Sequence, residues 1–127
     1  QGNPLTDKET NDLEAYMKTL PPPPALRTED KLAVARGAAI FEAQNCRNCH
    51  TQPLFTSAKI VDVGLKDERG TSKFNPPSLR GVSQNAPYFH DGRAKSLEAL
   101  FTQFRHQLIG DLSSEELADL VAFLNDL

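Results

Sequence analysis

Apolar residues recur at helical spacing in four stretches of the chain, and little periodicity fills the ground between them. Residues 6–20 open with Thr6 and Glu9 in capping-box register. Residues 28–44 start from Thr28 as N-cap with an acidic first turn, and Leu32, Ala35, Ala39 and Ile40 trace the apolar stripe. Residues 96–108 begin at Ser96 and align Leu97, Leu100, Phe101, Phe104 and Leu108 on one face. Residues 113–127 repeat the capping box with Ser113 and Glu116. Only "KIVDVG" at 59–64 reads as a short strand, so the pattern predicts an all-α fold. Residues 51–95 are the exception to this order. A loop of that length is uncommon in a compact domain unless something besides backbone pairing, such as a buried cofactor, organises it.

Two features divide the chain. "PPPP" at 21–24 predicts a stiff polyproline linker after the first helix. The expected boundaries are residues 1–24 for an N-terminal helix with its linker and 25–127 for the main domain. In addition, residues 6–20 laid over 113–127 without gaps match Glu9 with Glu116, Asp12 with Asp119, Leu13 with Leu120, Ala15 with Ala122 and Leu20 with Leu127. Generic amphipathic helices with capping boxes account for such an echo. So does an opening helix that closes a preceding, similar domain in a longer parent chain.

Composition narrows the class. With 39% apolar and 24% charged residues, 127 residues suffice for one globular core. No apolar run reaches the roughly 18–20 residues of a membrane span, and no basic start precedes an apolar leader segment. The net charge of −3 comes without any Lys/Arg cluster. Nucleic acid is therefore a poor partner, because binding it by counterion release needs a basic footprint.

The only cysteines are Cys46 and Cys49, in "CRNCH". A thioredoxin-like dithiol needs a βαβ setting that is missing here. A structural zinc site needs two more ligands at finger-like spacing, and the other two histidines lie far downstream. The histidine directly after C-x-x-C makes covalent haem c the best reading: Cys46 and Cys49 add across the haem vinyl groups and His50 ligates the iron. An axial histidine donates its other ring N–H to a fixed acceptor, and the Pro53 carbonyl is the expected one.

Taken together, "RGAAIFEAQNCRNCHTQPLFT", "FNPPSLRGVSQNAPYFHDGRAKSLEALF" and "LSSEELADLVAFL" resemble the cytochrome c domains of bacterial di-haem cytochrome c peroxidases and of related methylamine-utilisation di-haem enzymes, over about residues 36–126. The resemblance implies a small cytochrome c fold whose first and last helices cross beside a haem crevice. Mid-helix Gly37 suits such a crossing, with Phe41 and Phe123 filling it, since a helical glycine otherwise costs up to about 1 kcal/mol. The resemblance also assigns Arg80 and His90 to the haem propionates, which matches the fork geometry of an arginine on a carboxylate.

The chain departs from that family in carrying a single C-x-x-C-H, hence one haem, and in the sixth ligand. The expected methionine position falls on Phe104, and the single methionine is Met17, before the linker. Three possibilities follow: His106 as ligand, Met17 folded back over the haem, or no ligand with Phe104 capping an open pocket. In an unbroken helix His106 points away from the apolar face, so it reaches iron only if the helix ends early. A six-coordinate haem implies electron transfer with a redox protein partner or a fused oxidoreductase domain. An open position implies a peroxidase-like or small-ligand-binding haem enzyme. Haem c also implies an extracytoplasmic setting, the bacterial periplasm or outside the cell.

Overall fold

The computed structural model describes residues 2–127; Gln1, the first residue of the expected N-terminal unit, lies outside the described residues. Four α-helices form in order: α1 (Asp7–Thr19), α2 (Lys31–Ala43), α3 (Leu97–Thr102) and α4 (Ser114–Asp126). Two residues each of β1 (Val61–Asp62) and β2 (Lys73–Phe74) pair antiparallel, Val61 opposite Phe74 and Asp62 opposite Lys73. The fold is thus mostly helical with one minimal ladder, and β1 falls inside the apolar stretch 59–64. Short 3-10 turns occupy Cys46–Asn48 and Val82–Gln84.

Helix starts follow side-chain chemistry. Thr6 with Glu9 and Ser113 with Glu116 form full capping boxes, satisfying N–H groups that the first turn leaves unpaired. In α2 the cap is Asp30 instead of Thr28. Its carboxylate accepts the Ala33 N–H at 2.9 Å, while Thr28 accepts the N–H of Asp30 from outside the helix.

The α2 stripe also differs from the expected one. Leu32 is 74% exposed, and the buried face is Ala33, Gly37 and Phe41, at i, i+4 and i+8. These residues form a flat groove that lets α4 in. A Cβ on Gly37 would lie 2.0 Å from the Asp119 carbonyl oxygen and 2.7 Å from Phe123 Cβ. The same Asp119 receives a bidentate pair from Arg36, Nε to Oδ2 at 2.6 Å and a terminal guanidinium nitrogen to Oδ1 at 2.7 Å. That pairing holds the buried carboxyl below its ordinary value. Phe41 and Phe123 fill the junction with ring centroids 5.3 Å apart. Leu120, fully buried, joins Val121 and Leu124 to Phe41, Leu97 and Phe101 in one apolar core.

The long aperiodic stretch is held by side chains bonding to backbone. Asn75 donates to the Ser57 and Lys59 carbonyls at 2.9 and 3.0 Å, Ser78 to Leu54 at 2.6 Å, and Tyr88 to Val82 at 3.0 Å. The polyproline linker lies on this region: Pro23 sits where a Cβ on Gly81 would be, and Gln84 donates to the Pro24 carbonyl. Helix α1 beyond it has no buried residue.

The α2–α4 contact yields a direct test. Gly37→Ala forces the helices apart or displaces the Asp119 backbone, and overpacking of this kind costs about 3 kcal/mol. Urea unfolding checks it, and a variant as stable as the parent would mean the helices do not meet at Gly37.

Candidate functional site

Between the α2–α4 pair and the loop region lies a cavity of about 770 Å³, within the roughly 300–1,000 Å³ typical of ligand sites. Phe41, Leu97, Phe101, Leu120 and Leu124 form its helical wall, and Val61, Val63, Leu65, Phe74, Pro76 and Leu79 the loop wall. Its polar margin carries Lys66, His90 and Arg93.

The C-terminus of α2 delivers the cysteine motif to one side. Asn45, in left-handed conformation, turns the chain from the helix into the 3-10 turn that holds Cys46. Cys46, Cys49 and His50 all line the cavity, and both thiols are free and half-buried. Burial first, then the neighbouring Cys49 and Glu42, push the Cys46 thiol up to about 11. At neutral pH it is a protonated thiol, which argues against a dithiol redox centre, since those depend on an accessible thiolate. Among the described residues no three His, Cys, Asp or Glu side chains converge as a metal cluster.

His50 is oriented by a carbonyl, but not the expected one. Pro53 is exposed and does not line the cavity; the chain turns at Phe55, with φ of 51°, and brings the Phe55 carbonyl to 3.1 Å from His50 Nδ1. A carbonyl only accepts, so Nδ1 carries the proton and Nε2 keeps the lone pair. Burial lowers the His50 pKa, and the Phe55 and Pro77 carbonyls pull the other way.

On the other element, α3 ends at Thr102 and not near residue 108, and this redirects His106. Arg105 adopts φ of 47° and Gln107 φ of 52°, conformations that cost non-glycine residues about 1 kcal/mol or more each. The His106 N–H closes back on the Leu100 carbonyl at 3.0 Å. The helical projection that points His106 to water therefore ceases to apply, and its side chain lines the same cavity as His50. His106 Nδ1 is buried without a hydrogen-bond partner. Burial, with a smaller contribution from His50, lowers its pKa to about 4, so the ring is neutral at pH 7.

Other expected positions fall differently. His90 lies at the margin, stacked on Phe74 with ring centroids 4.7 Å apart and its Nε2 3.8 Å from Asp67. Arg80 does not line the cavity; the arginine there is Arg93, paired with Asp91 and donating to the Lys66 carbonyl at 3.0 Å. Phe104 packs edge-on against Phe89 outside the lining, beyond the end of α3. Met17 sits on exposed α1, away from the cavity. Sequence reasoning missed Phe55, Arg93, Gln44 and Gln107. Of these Gln44 and Phe55 stood in the stretch around "CRNCH" and Arg93 in the stretch around "PYFHDG", while Gln107 stood in none of the marked motifs.

The donor set suits a large apolar group with a central metal. Two thiols, a neutral imidazole with a fixed tautomer and a second neutral imidazole with an unpartnered nitrogen all face one apolar cavity.

The comparisons agree with this chemistry. The family model described as di-haem cytochrome c peroxidase matches residues 39–119. The methylamine utilization protein MauG of Methylorubrum extorquens is 34% identical over 72% of this chain and 33% of its own length. The cytochrome c peroxidase Ccp of Escherichia coli is 29% identical over 93% of this chain and 32% of its own. The chain thus spans about a third of the length of these curated relatives. Among solved structures, Kuenenia stuttgartiensis hydrazine synthase shares the fold, with a TM-score of 0.73 over 97% of this chain and 56% of that one at 24% identity. A MauG-like protein associated with microbial copper homeostasis gives a TM-score of 0.60 over 79% of this chain and 47% of its own at 25% identity.

The buried His106 sets a pH dependence. Its folded pKa lies below the unfolded value of about 6.5, so the unfolded chain binds more protons between the two, and stability falls as pH drops from about 6.5 towards 4. An NMR titration of the His106 ring in the metal-free chain should give a midpoint near 4; a midpoint at 6 or above would mean a solvent-open ring.

Proposed function

Because the chain belongs to the family of di-haem cytochrome c peroxidases, we propose that it is a c-type cytochrome domain carrying one haem c and transferring electrons. The observation that carries this reading is the early end of α3, which brings His106 into the cavity that holds the C-x-x-C-H motif. Cys46 and Cys49 would hold the haem covalently, and His50 and His106 would each offer an imidazole nitrogen to its iron. A haem bound in this way supplies one-electron exchange, and ligation by two histidines lowers its potential relative to histidine–methionine. The residues do the rest. The Phe55 carbonyl fixes the His50 tautomer, the helical and loop walls exclude water, and Lys66, His90 and Arg93 at the margin would receive the propionates.

Residues 25–127 form this domain, and residues 1–24 lead into it, with the linker end at Pro23 and Pro24 resting on Gly81 and Gln84. The exposure of Leu13, Tyr16 and Met17 on α1 supports that division, as does the match of α1 to the closing helix α4. The partner is a redox protein or a fused oxidoreductase domain, and haem attachment favours an extracytoplasmic site. No helix among the described residues is long and apolar enough to cross a membrane.

A second reading, a peroxidase-like or small-ligand-binding site with an open position, draws on one specific observation. His106 is neutral at pH 7 and lines the cavity, as an acid–base group beside a bound ligand would.

Spectroscopy of the haem-loaded protein and of His106→Ala separates the readings. The parent should be low-spin and unreactive to carbon monoxide when reduced. The variant should turn high-spin and bind it. A low-spin spectrum that persists unchanged in the variant removes His106 as ligand, and a high-spin, carbon-monoxide-binding parent favours the second reading.

A further inference from the structure

We propose that Gln44 and Gln107 are positioning residues whose side chains clamp the 103–109 loop and so hold the His106 imidazole in the cavity; the inference rests on the reading of His106 as an axial ligand. After α3 ends, this loop has little regular structure of its own. Its local bonds are the Gln103 N–H to Ala99, the His106 N–H to Leu100, the Leu108 N–H to Arg105 and the exposed Arg105–Asp111 pair. Among the described residues, its hydrogen bonds to more distant parts of the chain are two, and both use a glutamine side chain. The Ile109 N–H donates to Gln44 Oε1 at 2.8 Å, and Gln107 Nε2 donates to the Val63 carbonyl at 2.9 Å. His106 directly precedes the anchored Gln107, with the anchored Ile109 three residues on, and Arg105 and Gln107 beside it are held at positive φ. Such backbone persists only where its surroundings over-determine it.

The anchors connect the loop to both walls of the site. Gln44 is the C-cap of α2, two residues before Cys46, so one bond ties the loop to the segment that carries the thiols. Val63 follows β1, so the other ties it to the loop wall. The two contacts also differ in chemistry. Position 44 must offer an acceptor to a backbone N–H, and position 107 must offer a donor to a carbonyl. Glutamine meets each demand with opposite ends of its amide. Glutamate therefore serves at 44 and fails at 107, where a carboxylate would face a carbonyl oxygen.

The test uses haem-loaded protein with Gln44→Leu, Gln107→Leu, Gln44→Glu, Gln107→Glu and both leucines together. Two readouts are needed: hydrogen exchange of amides 104–109, and the rate at which added cyanide displaces the ligand of the ferric protein. Each leucine variant should raise exchange in the loop about five- to tenfold and speed cyanide binding to a similar degree, with α4 amides unchanged. Gln44→Glu should resemble the parent, and Gln107→Glu should resemble the leucine variants. The clamp is overturned if loop exchange in the double leucine variant matches the parent, if the two glutamate variants behave alike, or if α4 loosens equally. Faster loop exchange with cyanide binding unchanged, and with an unaltered His106→Ala spectrum, supports the clamp and overturns the ligand reading instead.

Discussion

The bare Cα of Gly37 lies against the Asp119 backbone, where a Cβ would sit 2.0 Å from the carbonyl oxygen, and this approach fixes how closely α2 and α4 can run. Arg36 locks the same point from the side by gripping the Asp119 carboxylate. Everything at the site is measured from that junction. The end of α2 carries Gln44, Cys46 and His50, and α4 sends Leu120 and Leu124 into the cavity wall. A buried ion pair is weak evidence of net stability, because desolvation offsets much of the attraction. Arg36 is half-exposed, so the pair serves chiefly to set the helix register at the point where Gly37 allows contact.

Beyond that junction the fold depends on irregular backbone. The five non-glycine residues at positive φ among the described residues are Asn45, Phe55, Phe89, Arg105 and Gln107. Each adjoins the cavity chemistry. Asn45 precedes the first cysteine, Phe55 turns its carbonyl to His50, and Phe89 lies against His106 with ring centroids 5.5 Å apart. Arg105 and Gln107 flank His106 itself. Strain gathered in this way is expected where backbone must aim side chains at a site instead of completing helices.

The sequence reveals the helices and the haem motif because both rest on local chemistry. Capping boxes, C-x-x-C-H and a mid-helix glycine each carry their meaning within a few residues. The end of α3 is different. Leu97, Leu100, Phe101, Phe104 and Leu108 keep a helical period past Thr102, and no glycine or proline stops the helix there. Its early end comes from tertiary demands: Phe104 packing on Phe89, and glutamine bonds to residues 44 and 63. Likewise nothing local favours Phe55 over Pro53 as the partner of His50, since the choice depends on a turn two residues further on. Leu32 shows the same limit, because a small-residue groove on α2 outcompetes the more hydrophobic stripe beside it.

The two histidines are therefore held by unlike means. His50 is fixed twice, by chain continuity with Cys49 and by a hydrogen bond that sets its tautomer. His106 has neither: its Nδ1 meets no acceptor, and its place depends on a loop tethered at a distance. A change in the loop then acts first on the face that His106 occupies, and reaches the thiol segment through the Ile109–Gln44 bond. On the proposed electron-transfer reading, the sensitivity of the site lies chiefly in the face built from residues 103–109, while the α2–α4 junction keeps the thiols and His50 in register.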